Sequence, residues 1–208
     1  MDYVLYINLK KRLDRRNHME TQWNNMGIVS ECVEAIECSN GAIGCALSHV
    51  KCIELAKQRR LPHVCICEDD ILFLKPQQTM ESIQGFMQSK VKWDVLLLGA
   101  NMTPPYFRIN NTCMRVRNAQ TTTGYIVKEA YYDTLLQNIK TGITSLLISQ
   151  TPKRYAIDIY WKKLQELDHW MILIPLSVVQ RPDYSDIEKR NVNYTKQMLS
   201  DKRYLNMG

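Results

Sequence analysis

Between residues 42 and 57 the apolar side chains Ile43, Leu47, Val50 and Ile53 recur at spacings of three and four, with Ala46 and Leu55 widening the stripe. That period predicts an amphipathic helix, closed by Pro62. Residues 63–67 form a short, unbroken apolar run instead, the pattern of a strand covered on both faces. Further strands are predicted at 3–7, 28–35, 94–98, 113–117, 125–127 and 171–175, and further helices at 14–26, 77–89, 129–138 and 157–167. Residues 99–111, which contain Pro104-Pro105, read as irregular, and the stretch from 138 to 154 carries no clear period. Strands alternate with helices, so the predicted class is α/β. From Arg181 onward the chain is polar and aperiodic and reads as a loop or wrapping tail.

A chain of 208 residues, 45% hydrophobic and 23% charged, has the material for one soluble domain with a buried core. It holds no apolar run of about 18 residues, which excludes an ordinary membrane span. Asp2, and basic residues that follow the first apolar stretch instead of preceding it, argue against a signal peptide. On that reading the three Asn-x-Thr strings at Asn101, Asn110 and Asn193 are coincidental as glycosylation acceptors. The seven cysteines are odd in number and lack C-x-x-C pairs, so reduced, mostly core thiols are expected.

Charge changes the picture. Of a net +6, much sits in residues 10–16, where Lys10, Lys11, Arg12, Arg15 and Arg16 oppose only Asp14. Such a cluster is either a solvated helix face or an anion site. The triplet Glu68-Asp69-Asp70 directly follows the apolar run at 63–67. Three adjacent carboxylates at the end of a buried strand raise one another's pKa unless a cation neutralises them; the alternative is a solvated turn. With no His or Cys donor expected nearby, an oxygen-only set suits Mg²⁺ or Mn²⁺ and disfavours zinc. Both clusters leave the carboxyl ends of predicted strands, where open α/β sheets gather ligands, and a cation with guanidinium groups is what a diphosphate requires. No phosphate-loop, dinucleotide or nucleophile-elbow motif is present. The positive charge is gathered in one turn, not spread along a face, so no nucleic-acid partner is expected.

Ile7-Asn8-Leu9 with Arg12, Asp14, Arg15 and Arg16, then the string from Gly41 through Gly44 and Ser48 to His49, then Glu68-Asp69-Asp70-Ile71, resemble glycosyltransferase family 25. That family includes lipopolysaccharide and lipooligosaccharide galactosyltransferases and the procollagen galactosyltransferases. Thr122 to Val127, Ala156-Ile157-Asp158, and Gln180 with Ser185-Asp186-Ile187 resemble its weaker later blocks, in the expected order. One departure is Ala42, where the family pattern usually has Glu.

The resemblance implies a GT-A-type fold with a central mixed sheet flanked by helices, a transferase domain over residues 1–180, and a polar tail or wrapping loop of the same domain over 181–208. It implies a UDP-sugar donor, usually a hexose such as galactose or glucose, a divalent metal (Mn²⁺ or Mg²⁺), inversion at the anomeric carbon, and a glycan, glycolipid or protein acceptor. Glu68 and Asp70 are then the metal residues. Asn8, Arg12, Arg15, Gly44, Ser48 and Asp69 face the donor, the last turned toward ribose or sugar, while the order within the acidic triplet stays open. At Gly44 and Ser48, free backbone donors in the first turns of a helix favour anions, and a small residue permits close approach. Asp158 is the candidate general base, the other reading being an N-cap aspartate. Asp186 is a second choice, and Gln180 is a candidate to complete the donor or metal site. Trp161 and Tyr125 suit either a sugar or the core. The alternative function is a catalytically inactive relative that binds a glycan or partner. The expected location is the cytoplasm, with peripheral contact at a membrane surface left open.

Overall fold

The structure, a computed structural model, describes residue 1 and residues 3–200. In chain order its elements are β1 (Val4–Asn8), α1 (Leu13–Met26), β2 (Ser30–Glu34), α2 (Gly41–Gln58), β3 (His63–Glu68), β4 (Ile71–Phe73), α3 (Pro76–Gln88), β5 (Val95–Met102), β6 (Tyr106–Arg108), β7 (Cys113–Val116) and β8 (Ala119–Lys128). There follow α4 (Tyr132–Ser149), α5 (Pro152–Tyr155), α6 (Ile157–Tyr160), α7 (Lys162–Leu167), β9 (Trp170–Leu173), β10 (Val178–Gln180), β11 (Asp183–Ser185), β12 (Arg190–Val192) and α8 (Thr195–Leu199).

The central sheet has eight strands in the order β2-β1-β3-β8-β5-β9-β7-β6. β1 is parallel to both β2 and β3, β8 is antiparallel to its neighbours β3 and β5, and β9 is parallel to β5, so the sheet is mixed. Alternate residues of the strands enter different cores. Leu5 and Ile7 pack with Ala46, Val50 and Ile53 of α2 and with Tyr132 and Leu135 of α4. Val4 and Tyr6 pack with Met19 and Trp23 of α1 and with Ile83 and Phe86 of α3. Helices therefore cover both faces, which is why β1, β3 and β5 are apolar over most of their length, while the edge strand β2, with Glu31 and Glu34, is not. Local signals end the helices: Gly27 closes α1 at φ 64, Asn40 caps α2 by accepting the Ala42 N–H, and Pro76 opens α3.

Several expected boundaries move. The aperiodic stretch after residue 138 continues α4 to Ser149, and the helix expected over 157–167 divides into α6 and α7 at Trp161. The irregular stretch at 99–111 gives its first residues to β5 and three more to β6, while the strand expected at 125–127 is the end of the ten-residue β8. The polar tail is ordered within the described residues: β11 and β12 pair as a hairpin, and Met198 of α8 is buried. Its last residues, 201–208, lie outside the described ones. Tyr125 and Trp161 are wholly buried and belong to the core, not to a sugar platform.

Candidate functional site

Because β1, β2 and β3 are parallel, their carboxyl ends open on the same edge of the sheet, and the register Ile7↔Glu68 sets Asn8 beside the acidic triplet. A cleft of about 260 Å³ lies there, walled by the loop after β2, the first turns of α2, the triplet, Gln180 and the turn between β11 and β12. Lys11, Arg15 and Lys189 bring positive charge to its lining.

The end of β3 at Glu68 and the turn through Asp69 and Asp70 point the three acids different ways. Asp69 turns toward α1: Asn8 Nδ2 donates to its Oδ2 at 2.8 Å, and Arg15 Nη1 to its Oδ1 at 2.7 Å. Glu68 turns toward α2 and β8, where its Oε1 receives Thr122 Oγ1 at 2.7 Å and lies 3.4 Å from both Cys45 Sγ and His49 Nε2. Asp70 has the poorest partners. Its Oδ2 is 3.4 Å from Arg15 Nη1, and its buried Oδ1 has no hydrogen-bond partner among the described residues.

The electrostatics follow from these contacts. Burial pushes the Asp70 carboxyl up to about 7, reinforced by the charges of Glu68 and Asp69 and opposed by Arg15 and, more weakly, by the neighbouring Gln180 side chain. Burial also raises Asp69, against the pull of Arg15 and Asn8. Burial acts on Glu68 in the same sense, but hydrogen bonds from His49, Thr122 and Cys45 outweigh it and hold that carboxyl below its ordinary range. An orphaned, buried carboxylate oxygen next to a second ionised carboxylate is a local excess of negative charge, and a hard divalent cation fits it.

The basic turn is closely paired. Arg12 donates to Asp14, to Asp183 Oδ2 at 2.8 Å and to Asp186 Oδ2 at 2.6 Å. Arg15, nearly buried, also reaches Asp183 Oδ2 at 3.2 Å and the Tyr184 carbonyl at 2.9 Å. Arg15 lines the cleft and Arg12 does not. The tail thus supplies the counter-charges of the turn, a role its lack of periodicity concealed.

Gly44 and Ser48 line the cleft, but their polar groups are engaged. The Gly44 N–H donates to Asn40 O, so the free amide expected there is taken by the helix cap. A Cβ at Gly44 would meet Ile36 O at 2.5 Å, so the close approach this glycine permits is to the loop after β2. Ser48 Oγ donates to Gly44 O and accepts the Ile36 N–H, tying that same loop to α2. Asp158 sits in the first turn of α6 with Ala156 as N-cap, so it is no capping residue. Its Oδ2 accepts the N–H of Thr121, a β-branched residue held at φ 85. Burial, then the charge of Glu68, raises its carboxyl. It is not among the residues that line the cleft.

One expectation is corrected here. The acidic triplet does have soft donors beside it: Cys45, His49 and Glu68 offer ligand atoms that all lie within 4.8 Å of one another. Sequence distance hid this, although Cys45 and His49 are spaced i, i+4 in a predicted helix and so share a face.

A mixed eight-stranded sheet flanked by helices on both faces is a fold of the GT-A type. The family model for glycosyltransferase family 25 (LPS biosynthesis protein) matches residues 37–161, more than half of the chain, and the chain belongs to that family. A curated relative from Bos taurus, "Probable inactive glycosyltransferase 25 family member 3", is 27% identical over an alignment of 137 residues, with 50% of this chain and 22% of that protein covered. The chain therefore spans about a fifth of that relative's length. Among solved structures, a glycosyltransferase involved in the glycosylation of the major capsid of PBCV-1 shares the fold, at TM-score 0.50 and 10% identity over 95% of this chain and 89% of that one. A looser likeness, at TM-score 0.37 and 11% identity over 64% of this chain and 51% of the other, is to a Drosophila galactosyltransferase in complex with manganese, UDP-Gal and xylobiose.

Proposed function

We propose that the chain is an active, metal-dependent glycosyltransferase that moves a hexose from a UDP-sugar to an acceptor hydroxyl with inversion. The observation that carries this reading is the unpartnered Asp70 Oδ1, buried beside Glu68 on a cleft that Lys11, Arg15 and Lys189 also line. Glu68 and Asp70 would hold a divalent cation, Mn²⁺ or Mg²⁺, which when bound offsets the charge that grows on the departing diphosphate.

The chain's own groups do the rest. Lys189 attracts the diphosphate to the mouth of the cleft, where Lys11 is held by Glu37 and joins by exchanging that partner for phosphate. Arg15 keeps Asp69 ionised and fixed, so that Asp69, steadied also by Asn8, presents a rigid acceptor to ribose or sugar hydroxyls. Arg12 acts on the donor through the hairpin that it anchors, not by touching phosphate. Ser48 and Gly44 fix the loop after β2 against α2 and so set the width of the cleft. Asp158 takes the proton of the attacking hydroxyl; its raised pKa brings it nearer the working pH, as a general base needs. The glycolipid, glycan or protein acceptor comes to Asp158 from outside the donor cleft.

The test is hydrolysis and transfer with a panel of UDP-sugars, with and without Mn²⁺. Asp70→Asn is expected to abolish metal-dependent UDP binding, and Asp158→Asn to spare UDP binding but cut turnover at least ~100-fold. A second reading, a binding protein without catalysis, is favoured by Ala42 in place of the usual Glu and by the printed name of the bovine relative. It becomes the correct one if no donor is turned over and UDP binding ignores the metal.

A further inference from the structure

We propose that Cys45, His49 and Glu68 form a binding site for a borderline-soft divalent cation of the zinc class, which shares Glu68 with the oxygen-donor position at Asp70 but stands whether or not the chain transfers sugar. In a tetrahedral site, bonds of about 2.3 Å to sulfur and about 2.0 Å to nitrogen or oxygen place neighbouring ligand atoms roughly 3.3–3.6 Å apart. Two of the three edges already have that length: Cys45 Sγ and His49 Nε2 are each 3.4 Å from Glu68 Oε1. The third, between Cys45 Sγ and His49 Nε2, is at most 4.8 Å, and metal binding would have to shorten it to about 3.5 Å.

The backbone holds the donors in place. Cys45 and His49 are one turn apart on a single face of α2, and Glu68 ends the central strand β3. The ring of His49 is oriented by Tyr125, whose Oη is 3.0 Å from Nδ1. With Nδ1–H donating to that hydroxyl, Nε2 presents its lone pair to the ion, the second-shell arrangement common to metal-bound histidines. All three residues line the cleft, so a fourth coordination position opens toward solvent or ligand. A thiolate and an imidazole select zinc or cobalt over magnesium, whereas Asp70 offers only oxygen.

The competing explanation is that the three groups merely hydrogen-bond to one another and steady Glu68. Chelator-treated full-length protein titrated with Co²⁺ in excess Mg²⁺, without nucleotide, separates the two. The expected result is a thiolate-to-cobalt charge-transfer band and the intense visible bands of four-coordinate cobalt, both erased by Zn²⁺. Cys45→Ser removes the charge-transfer band, while Cys38→Ser, at the other thiol lining the cleft, and Asp70→Asn both leave it. Tyr125→Phe weakens zinc binding about 10-fold or more. X-ray absorption of the zinc-loaded wild type needs no variant and is expected to show one sulfur near ~2.3 Å among nitrogen and oxygen ligands. A zinc shell without sulfur, a band that survives Cys45→Ser, or displacement of cobalt by Mg²⁺ overturns the site. Because Glu68 is common to both positions, these readouts are taken without nucleotide, and the metal-dependent UDP binding of Asp70→Asn tests sugar transfer separately.

Discussion

Asp70→Asn tests the electrostatic account of the cleft through stability alone, with no assumption about substrate. A carboxyl raised from 3.8 to about 7 in the folded protein holds a proton there that the unfolded chain has already released. Between those pH values the native state binds more protons, so this group's contribution to stability falls as pH rises. At 1.36 kcal/mol per pH unit the loss reaches at most about 4 kcal/mol above pH 7 and vanishes below pH 4. Asparagine cannot ionise and escapes the loss. In urea unfolding without divalent ions, the variant is expected to equal wild type near pH 4 and to exceed it increasingly toward pH 8. Adding Mn²⁺ at pH 8 stabilises the wild type by mass action and leaves the variant unmoved. A difference between the two proteins that is flat from pH 4 to 8, or a variant less stable at pH 8, refutes the reasoning.

The architecture around the cleft yields further expectations. Ser48→Ala removes the hydroxyl that accepts the Ile36 N–H and donates to Gly44 O, and should cost about 0.5–1.5 kcal/mol in chemical denaturation. Gly44→Ala forces the loop after β2 off Ile36 O and should lower the thermal midpoint by an amount worth about 1–3 kcal/mol, with weaker nucleotide binding in the same sample. Arg15→Ala leaves Asp69, Asp70 and Asp183 short of their shared cation, for a loss of about 3–5 kcal/mol. Arg12→Ala leaves Arg15 as the tie from α1 to the β11–β12 hairpin, and limited proteolysis should cut within residues 183–192 sooner than in wild type.

Period and strand alternation made the sheet and its two helical layers legible, since Ile43 to Ile53 and residues 63–67 carry nearly unambiguous patterns. What escaped was set by contacts distant in sequence. The hairpin at 183–192 has no apolar rhythm because its partners are Arg12 and Arg15, and α4 outran its visible period. The acidic triplet was readable as a charge problem from its place after an apolar strand. How its members divide, Asp69 toward α1 and Glu68 toward α2, depends on which helix packs on which face. For the same reason Cys45 and His49 looked remote from Glu68 until α2 was laid across the end of β3. Ser48 and Gly44 look like anion-binding positions in a string of letters, yet the cap at Asn40 and the adjacent loop use their polar groups first.

The ion pairs that fasten Asp183 to Arg12 and Arg15 join positions 171 and 168 residues apart. Translation delivers the two arginines first, long before their acidic partner leaves the ribosome. Closing so long a loop adds little thermodynamic penalty, because each doubling of length costs only about 0.6 kcal/mol, but it orders events in time. While the nascent chain waits for the hairpin, its positive turn is the exposed half of an unfinished wall.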